Sequence, residues 1–420
     1  MFLSHDIPQP LKRILSTSPK TLDLTNEAHL EQVLASADQI FDLYPDREGL
    51  EKVERELLAD KDSVPLLPHL AVKLAKSKRI IASMPGRTHV SIVFAMYKEH
   101  NRLKTREEHE HGENLLIRKI HQLNWLFADQ ANFTWDLSAV DDGCPEHSGD
   151  IARQIFESQY EGDNVRVLFL QQGIEKGLAV TQPLASTAES QKGGSIHYGL
   201  WQAAQQRRES NHIILFTDAD LSTHLGQIGL LIDGIVNQGK DVAIGSRREE
   251  TSVVVKKGLR NIRGKLFIYL WKRLIPDLNY IVDTQCGFKA FRAETVRTII
   301  DDLIEKKFAF DIELLLKAEL NRSHSISRVA IAWIDSEAAS TTTDLQPYLP
   351  MLKAIVRMYR TYLPENSESE SFAQLIQSLD EEAWNAIIEK MPAEIANGDP
   401  AEFGTFNEVK ASALRTLIAG

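Results

Sequence analysis

Apolar positions along the chain change their period twice, and those changes divide it into three parts. In residues 1–85, Leu30, Val33 and Leu34, then Ile40, Phe41 and Leu43, recur at helical spacing among acidic and polar neighbours. Pro65 and Pro68 interrupt this part, and the basic Lys76-Ser77-Lys78-Arg79 lies near its end. It carries no catalytic pattern and reads as a helical cap or partner surface. From residue 88 short buried-type strand runs take over, at 88–95, 134–140, 165–170, 213–217 and 241–246. Helical patterns separate most of them, which predicts βαβ units around a parallel sheet. In open sheets of this kind ligands sit beyond the carboxyl ends of the strands. Residues 346–420 return to helical patterning, with 364–371 reading as a solvated linker and the remainder as a small acidic tail. The expected organisation is a helical N-terminal extension over 1–85, an α/β domain over 86–345 and a helical C-terminal extension over 346–420.

Composition narrows the function classes. With 43% hydrophobic and 25% charged residues in 420, the chain has the make-up of a folded protein with a large core. A net charge of -11 argues against a nucleic-acid binder, which needs a basic surplus to displace counterions. Two cysteines, Cys144 and Cys286, imply no disulfide framework and suggest a reducing, cytoplasmic setting. No signal-peptide pattern is read at Met1–Asp6, and no run of about 18 apolar residues suggests a membrane span. The nearest approach, 266–275, is interrupted by Lys272 and Arg273.

Three strand ends deliver polar residues to one edge of the expected sheet. Asp218-Ala219-Asp220 directly follows the run Ile213 to Thr217. Two hard carboxylates there suit Mg²⁺ or Mn²⁺, ions that take few protein ligands and keep positions for substrate phosphates. Asp-x-Asp alone is also a common solvated loop, and it is the strand before it that raises its meaning. Asp141-Asp142-Gly143 ends an earlier strand and reads either as a hydrogen-bonded turn or as acceptors for a nucleotide base or ribose. Lys192-Gly193-Gly194 opens a helical pattern, where a helix start and a lysine favour an anion, unless the glycines mark only a flexible loop.

In order, Ser91-Ile92-Val93 with Tyr97-Lys98-Glu99, Val140-Asp141-Asp142-Gly143, Lys192-Gly193-Gly194, Asp218-Ala219-Asp220, Gly245-Ser246-Arg247 and Asp283-Thr284-Gln285-Cys286-Gly287-Phe288-Lys289 resemble the motifs of family-2 inverting glycosyltransferases. The last two are most similar to the dolichyl-phosphate and polyprenyl-phosphate glucosyltransferase branch, over roughly residues 88–340. The resemblance implies a GT-A fold with helical additions, a nucleotide-sugar donor (UDP-glucose favoured), Mg²⁺ or Mn²⁺, and inversion at the anomeric carbon. Carried over, Tyr97, Glu99, Asp141 and Asp142 would line the nucleotide pocket and Lys192 would meet the diphosphate. Asp218 and Asp220 would hold metal and donor. Asp283 would orient or deprotonate the acceptor, with Asp311 as second candidate. The sequence departs from the family pattern at Ala95-Met96-Tyr97-Lys98-Glu99, in the insertion at 174–191 and in both terminal extensions.

A basic run inside this acidic chain, Arg247, Arg248, Lys256, Lys257, Arg260, Arg263 and Lys265, reads either as a solvated face or as an anion site. The resemblance implies that Arg247 and Arg263 receive an acceptor phosphate, which would leave a soluble or a lipid acceptor open. The apolar stretch Leu266 to Trp271 reads as the core side of a helix or as an interfacial membrane contact. His100, His109, His111 and His121 lack metal-ligand spacing. Two rivals remain at this point. A sugar-nucleotide nucleotidyltransferase would need a glycine-rich basic loop after the first strand, and a non-catalytic nucleotide-sugar-binding protein would lack the metal acids.

Overall fold

The computed structural model describes residues 8–127, 129–208, 210–255, 261–335, 347–405 and 408–418. The five expected strands form where the buried-type runs lie: β1 (Thr88–Met96), β2 (Phe133–Asp141), β3 (Val165–Phe169), β4 (Asn211–Thr217) and β5 (Val242–Ser246). Four more follow among the described residues: β6 (Val253–Val255), β7 (Phe288–Arg292), β8 (Ile326–Ala330) and β9 (Ala332–Ile334). The main sheet runs β3-β2-β1-β4-β7-β5-β8, and β6 pairs with β9 in a small second sheet. Only β7 is antiparallel in the main sheet, lying between β4 and β5. Its sequence, Phe288-Lys289-Ala290-Phe291-Arg292, is broken by two basic residues rather than running apolar, which is why the pattern that marks parallel strands passes over it. The antiparallel insertion places Phe288 opposite Thr217, so the segment before β7 arrives at the same edge as the end of β4.

Helices cover both faces, and the two extensions pack onto the α/β body. The N-terminal helices Glu27–Leu43, Arg47–Ala59 and Leu66–Ser83 share a core of Val33, Ile40, Leu50, Leu67 and Leu70. That core also takes in Val253 and Ile334 of the small sheet and Leu221, the residue after Asp220. At the other end, helices Tyr348–Tyr362 and Ser367–Ser378 pack on helix Asn261–Leu274.

Several expectations are corrected here. Residues 364–371 are not a linker: Asn366 caps a helix that begins at Ser367, and buried Ser369 donates its hydroxyl to the Arg273 carbonyl at 2.7 Å. The seven polar residues after Pro364 hide a helix because Asn366 satisfies the free N–H groups of Glu368 and Ser369, and the first-turn Glu368 and Glu370 complement the dipole. Leu266 to Trp271 is no membrane contact either. Leu266, Tyr269, Leu270 and Trp271 are all 0% exposed, covered by the C-terminal helices. The inserted segment 174–191 folds inward, with Val180 and Leu184 in the core. Among the described residues no helix is long and apolar enough to cross a membrane.

Candidate active site

The carboxyl ends of β1, β2 and β4 and the segment before β7 meet in a cluster of alternating charge. Asp218 follows β4, and its N–H donates to the Gly287 carbonyl at 3.1 Å. A Cβ on Gly287 would stand 2.3 Å from Asp218 Oδ1, so the glycine leaves the space that the Asp218 carboxylate occupies. The Asp218 carboxylate accepts a short bond from Lys192 Nζ. Burial pushes that carboxyl up, but Lys192, ahead of Lys289 and Arg247, outweighs it and holds the group below the usual range. Asp220 keeps one oxygen, Oδ1, on the Ser222 N–H at 3.0 Å.

Asp283, just upstream, is buried and grips Arg247 from three sides. The Arg247 backbone N–H, Nε and Nη2 all lie 2.8 Å from its carboxylate oxygens. Burial alone would raise the Asp283 carboxyl; the Arg247 contacts reverse this and push it down to about 2. A carboxylate held that low is a poor proton acceptor near neutral pH, so the geometry disfavours Asp283 as a base. Asp311 sits in the opposite condition. It opens helix Phe310–Asn321 and accepts a bond from the fully buried Lys289 at 2.5 Å. Burial raises its carboxyl more than Lys289 and Lys192 lower it, and Asp218 adds to the rise.

Asp141 and Asp142 work on the protein itself. Asp141 accepts the N–H groups of Gly143, Cys144 and Gly149 at 2.9, 3.0 and 2.8 Å, the turn arrangement. Asp142 accepts the hydroxyls of Ser190 and Ser195 at 2.7 and 2.6 Å and the Lys192 N–H at 2.9 Å. These bonds clamp the Lys-Gly-Gly turn, whose Lys192 holds φ of +73°. The glycines of that turn meet protein and not open space: a Cβ on Gly193 would stand 2.7 Å from the Lys306 backbone. The Gly194 N–H donates to the Lys306 carbonyl at 3.0 Å.

The remaining expected residues are less gathered. Tyr97, after β1, is exposed at 48%, with Lys98 Nζ 5.7 Å from the centre of its ring. Glu99 turns inward, bound to Arg102 at 3.0 Å, with Glu113 on the other side of that guanidinium at 3.4 Å. Arg263 bonds to Asn385 of the C-terminal helices at 3.3 Å, and Lys265 donates to the Ala396 carbonyl. Both ends of those bonds lie in the extension's interface, apart from the Arg247 pair. Lys256, Lys257 and Arg260 lie outside the described residues.

Two groups escaped the sequence reading. Lys289 stood in a quoted motif without a role, yet its ammonium bridges Asp311 and the Cys286 carbonyl. Lys119, at 0% exposure, donates to the carbonyls of Asp218 and Asp220 at 3.0 Å each and so fixes the backbone of the motif. A lysine within an amphipathic helix gives no local sign of this.

Among the described residues no group of three His, Cys, Asp or Glu is gathered that could hold a metal ion alone. Asp218 and Asp220 fit a different kind of site, one where a hard ion takes one or two carboxylates and completes its shell with substrate phosphates. The half-buried carboxylates are compatible with that.

No family model matches the chain. It is 26% identical over 282 residues to a dolichyl-phosphate β-glucosyltransferase of Drosophila melanogaster, covering 65% of this chain and 75% of that protein. The human dolichyl-phosphate β-glucosyltransferase is 28% identical over 240 residues, 55% of this chain and 65% of that one. Among solved structures, glucosyl-3-phosphoglycerate synthase from Mycobacterium tuberculosis superposes with a TM-score of 0.45 at 15% identity, over 70% of this chain and 85% of that one. With its mostly parallel seven-stranded sheet, its strand-end acids and these sequence relatives, the chain is a glycosyltransferase of GT-A fold, similar over its central part to the dolichyl-phosphate β-glucosyltransferases.

Proposed function

We propose that this protein transfers glucose, with inversion, from UDP-glucose to a phosphate-bearing acceptor, with a polyprenyl phosphate as the favoured one. The observation that carries this reading is the alternating cluster Lys192, Asp218, Lys289, Asp311 with the Arg247–Asp283 pair, set where β4 ends. A nucleotide diphosphate leaving group demands positive charge around its oxygens and a fixed anionic partner for a cation. Mg²⁺ or Mn²⁺ held by Asp218 and Asp220 would neutralise charge on the departing diphosphate. Lys192 meets the same oxygens and is held in place through Asp142. Tyr97 offers its exposed ring to the base. Arg247, locked by Asp283 through Nε and Nη2, keeps Nη1 for the acceptor's phosphate. A phosphate acceptor is already ionised and needs no base. Were the acceptor a hydroxyl instead, Asp311, whose carboxyl burial raises, is the better placed base.

The dolichyl-phosphate enzymes among the relatives support the donor sugar and the lipid phosphate. The test is a transfer assay with labelled UDP-glucose and Mn²⁺ or Mg²⁺, offering polyprenyl phosphate in detergent in one arm and soluble phosphorylated small molecules in another. Labelled lipid that forms with metal and disappears in excess chelator supports the whole reading. Product only in the soluble arm moves the acceptor, and product only from another nucleotide sugar moves the donor. Formation of UTP and glucose 1-phosphate from UDP-glucose when pyrophosphate is supplied would indicate a nucleotidyltransferase and overturn it.

A further inference from the structure

The C-terminal helix Tyr348–Tyr362 lies beyond residues 88–340, the stretch that carries the site motifs, yet a chain of hydrogen bonds runs from it to Lys192. Tyr362 Oη donates to Glu313 Oε1 at 2.6 Å. Glu313, at 0% exposure, accepts the Ile304 N–H at 2.7 Å on the same oxygen and the Glu305 N–H at 2.8 Å on the other. Arg357, from the same C-terminal helix, holds Glu305 Oε2 at 2.9 Å. The next residue closes the chain: the Lys306 carbonyl accepts the N–H groups of Gln191 and Gly194 at 3.1 and 3.0 Å, on either side of Lys192. Its ammonium ties the inserted segment to the same point through the Val180 carbonyl at 2.8 Å. Gly193 is glycine because the Lys306 backbone fills the space a side chain would take.

We propose that Tyr362 and Arg357 are positioning residues of the transferase: the C-terminal extension sets the 304–307 segment, and that segment sets the turn from which Lys192 reaches Asp218. The argument is one of supply and demand for hydrogen bonds. A buried carboxylate needs several donors, and Glu313 has three, two of them backbone N–H groups that it thereby fixes. Burial, then the Glu313 charge, raises the Tyr362 phenol, so it stays protonated and remains a donor. Removing it leaves Glu313 with its two loop N–H groups only. The segment can then relax, and with it the strained turn at Lys192, whose positive φ persists only because Asp142 and Lys306 determine it from both sides. This rests on the role of Lys192 at the diphosphate given above.

The test pairs Tyr362→Phe with Lys192→Ala, the double variant, and Phe372→Leu as a control. Phe372 is a buried residue of helix Ser367–Ser378 with no part in this chain of bonds. Tyr362→Phe should speed amide hydrogen exchange across residues 190–196. It should also lower kcat for UDP release from UDP-glucose roughly tenfold, since small misplacements of a charge at a reacting centre cost at least that much. Phe372→Leu, at a comparable loss of melting temperature, should leave both untouched. In the Lys192→Ala background, Tyr362→Phe should add no further loss. Wild-type exchange over 190–196 in Tyr362→Phe, additive losses in the double variant, or an equal kcat loss in Phe372→Leu would each overturn the proposal. Full turnover in Lys192→Ala would instead remove the role assigned to Lys192, and the exchange data would still decide whether Tyr362 holds the turn.

Discussion

Glu113 shows how single buried groups tie this site to its surroundings. Its carboxylate lies beside Arg102, opposite Glu99, and burial raises it to about 7. A carboxyl raised in the folded state binds a proton that the unfolded chain, titrating near its ordinary value, has lost. The stability it contributes is therefore complete below about pH 4.5 and is lost as pH rises through about 7. The melting temperature should fall between pH 5 and 7.5, and Glu113→Gln should flatten that part of the profile; an unchanged slope in the variant would place the proton elsewhere. Asp283 has the opposite sign. Its depressed carboxyl keeps the Arg247 pair intact down to about pH 2, so mild acid should not break it. Asp283→Ala, which frees a half-buried guanidinium, should lower kcat/KM for the acceptor by roughly 10²-fold, on the scale of a lost charge-assisted contact of about 1.5–3 kcal/mol. Donor binding measured by calorimetry should change far less. Roles of this kind were only partly legible in the sequence. Asp283 and Arg247 were both picked out, but as separate acceptor groups. Nothing in a linear pattern says that residues 36 positions apart form one pair.

At the scale of elements, the strands and turns that carry the site were the readable part. The run Ile213 to Phe216, just before Asp218, is apolar because both faces of a parallel strand are covered, and that leaves a strong local mark. The Lys192-Gly193-Gly194 turn was visible too, though its glycines answer to Lys306 and not to open space. Gly287 supplies the sharpest element-level prediction. In Gly287→Ala the new methyl must displace the Asp218 side chain, the far end of a flexible group, so stability should change little. Turnover should drop by roughly 10²-fold, because the displaced carboxylate is the one that meets metal and donor. A variant with full turnover would show that Asp218 need not occupy the observed position. The antiparallel β7, which brings Gly287 to this edge, carries no parallel-strand signature because Lys289 and Arg292 break its apolar residues.

For the whole molecule, both extensions proved to be integral to one body, which composition alone could not reveal. Amphipathic periodicity announces a helix but not what covers its apolar face. The acidic residues 364–371 have the composition of solvent-facing chain, yet Ser369 and the following Phe372 are buried where their helix packs on Asn261–Leu274. Removing residues 347–420 should uncover Trp271, Tyr269 and Leu270 together, and the shortened chain should lose cooperative unfolding and aggregate. A soluble truncated chain with a sharp melting transition would contradict that. The wider reading, a GT-A glycosyltransferase built around Asp218 and Asp220, stands on one comparison above all. Turnover of UDP-glucose with Mn²⁺ should be measured for the wild type, Asp218→Asn and Asp220→Asn, with circular dichroism confirming that each is folded. Each substitution removes a carboxylate charge while keeping its shape, so both folded variants should lose roughly 10³-fold or more in kcat, the scale of lost electrostatic stabilisation at a leaving group. Excess chelator should abolish wild-type turnover. Folded variants that turn over at the wild-type rate, or wild-type turnover that survives the chelator, would contradict it.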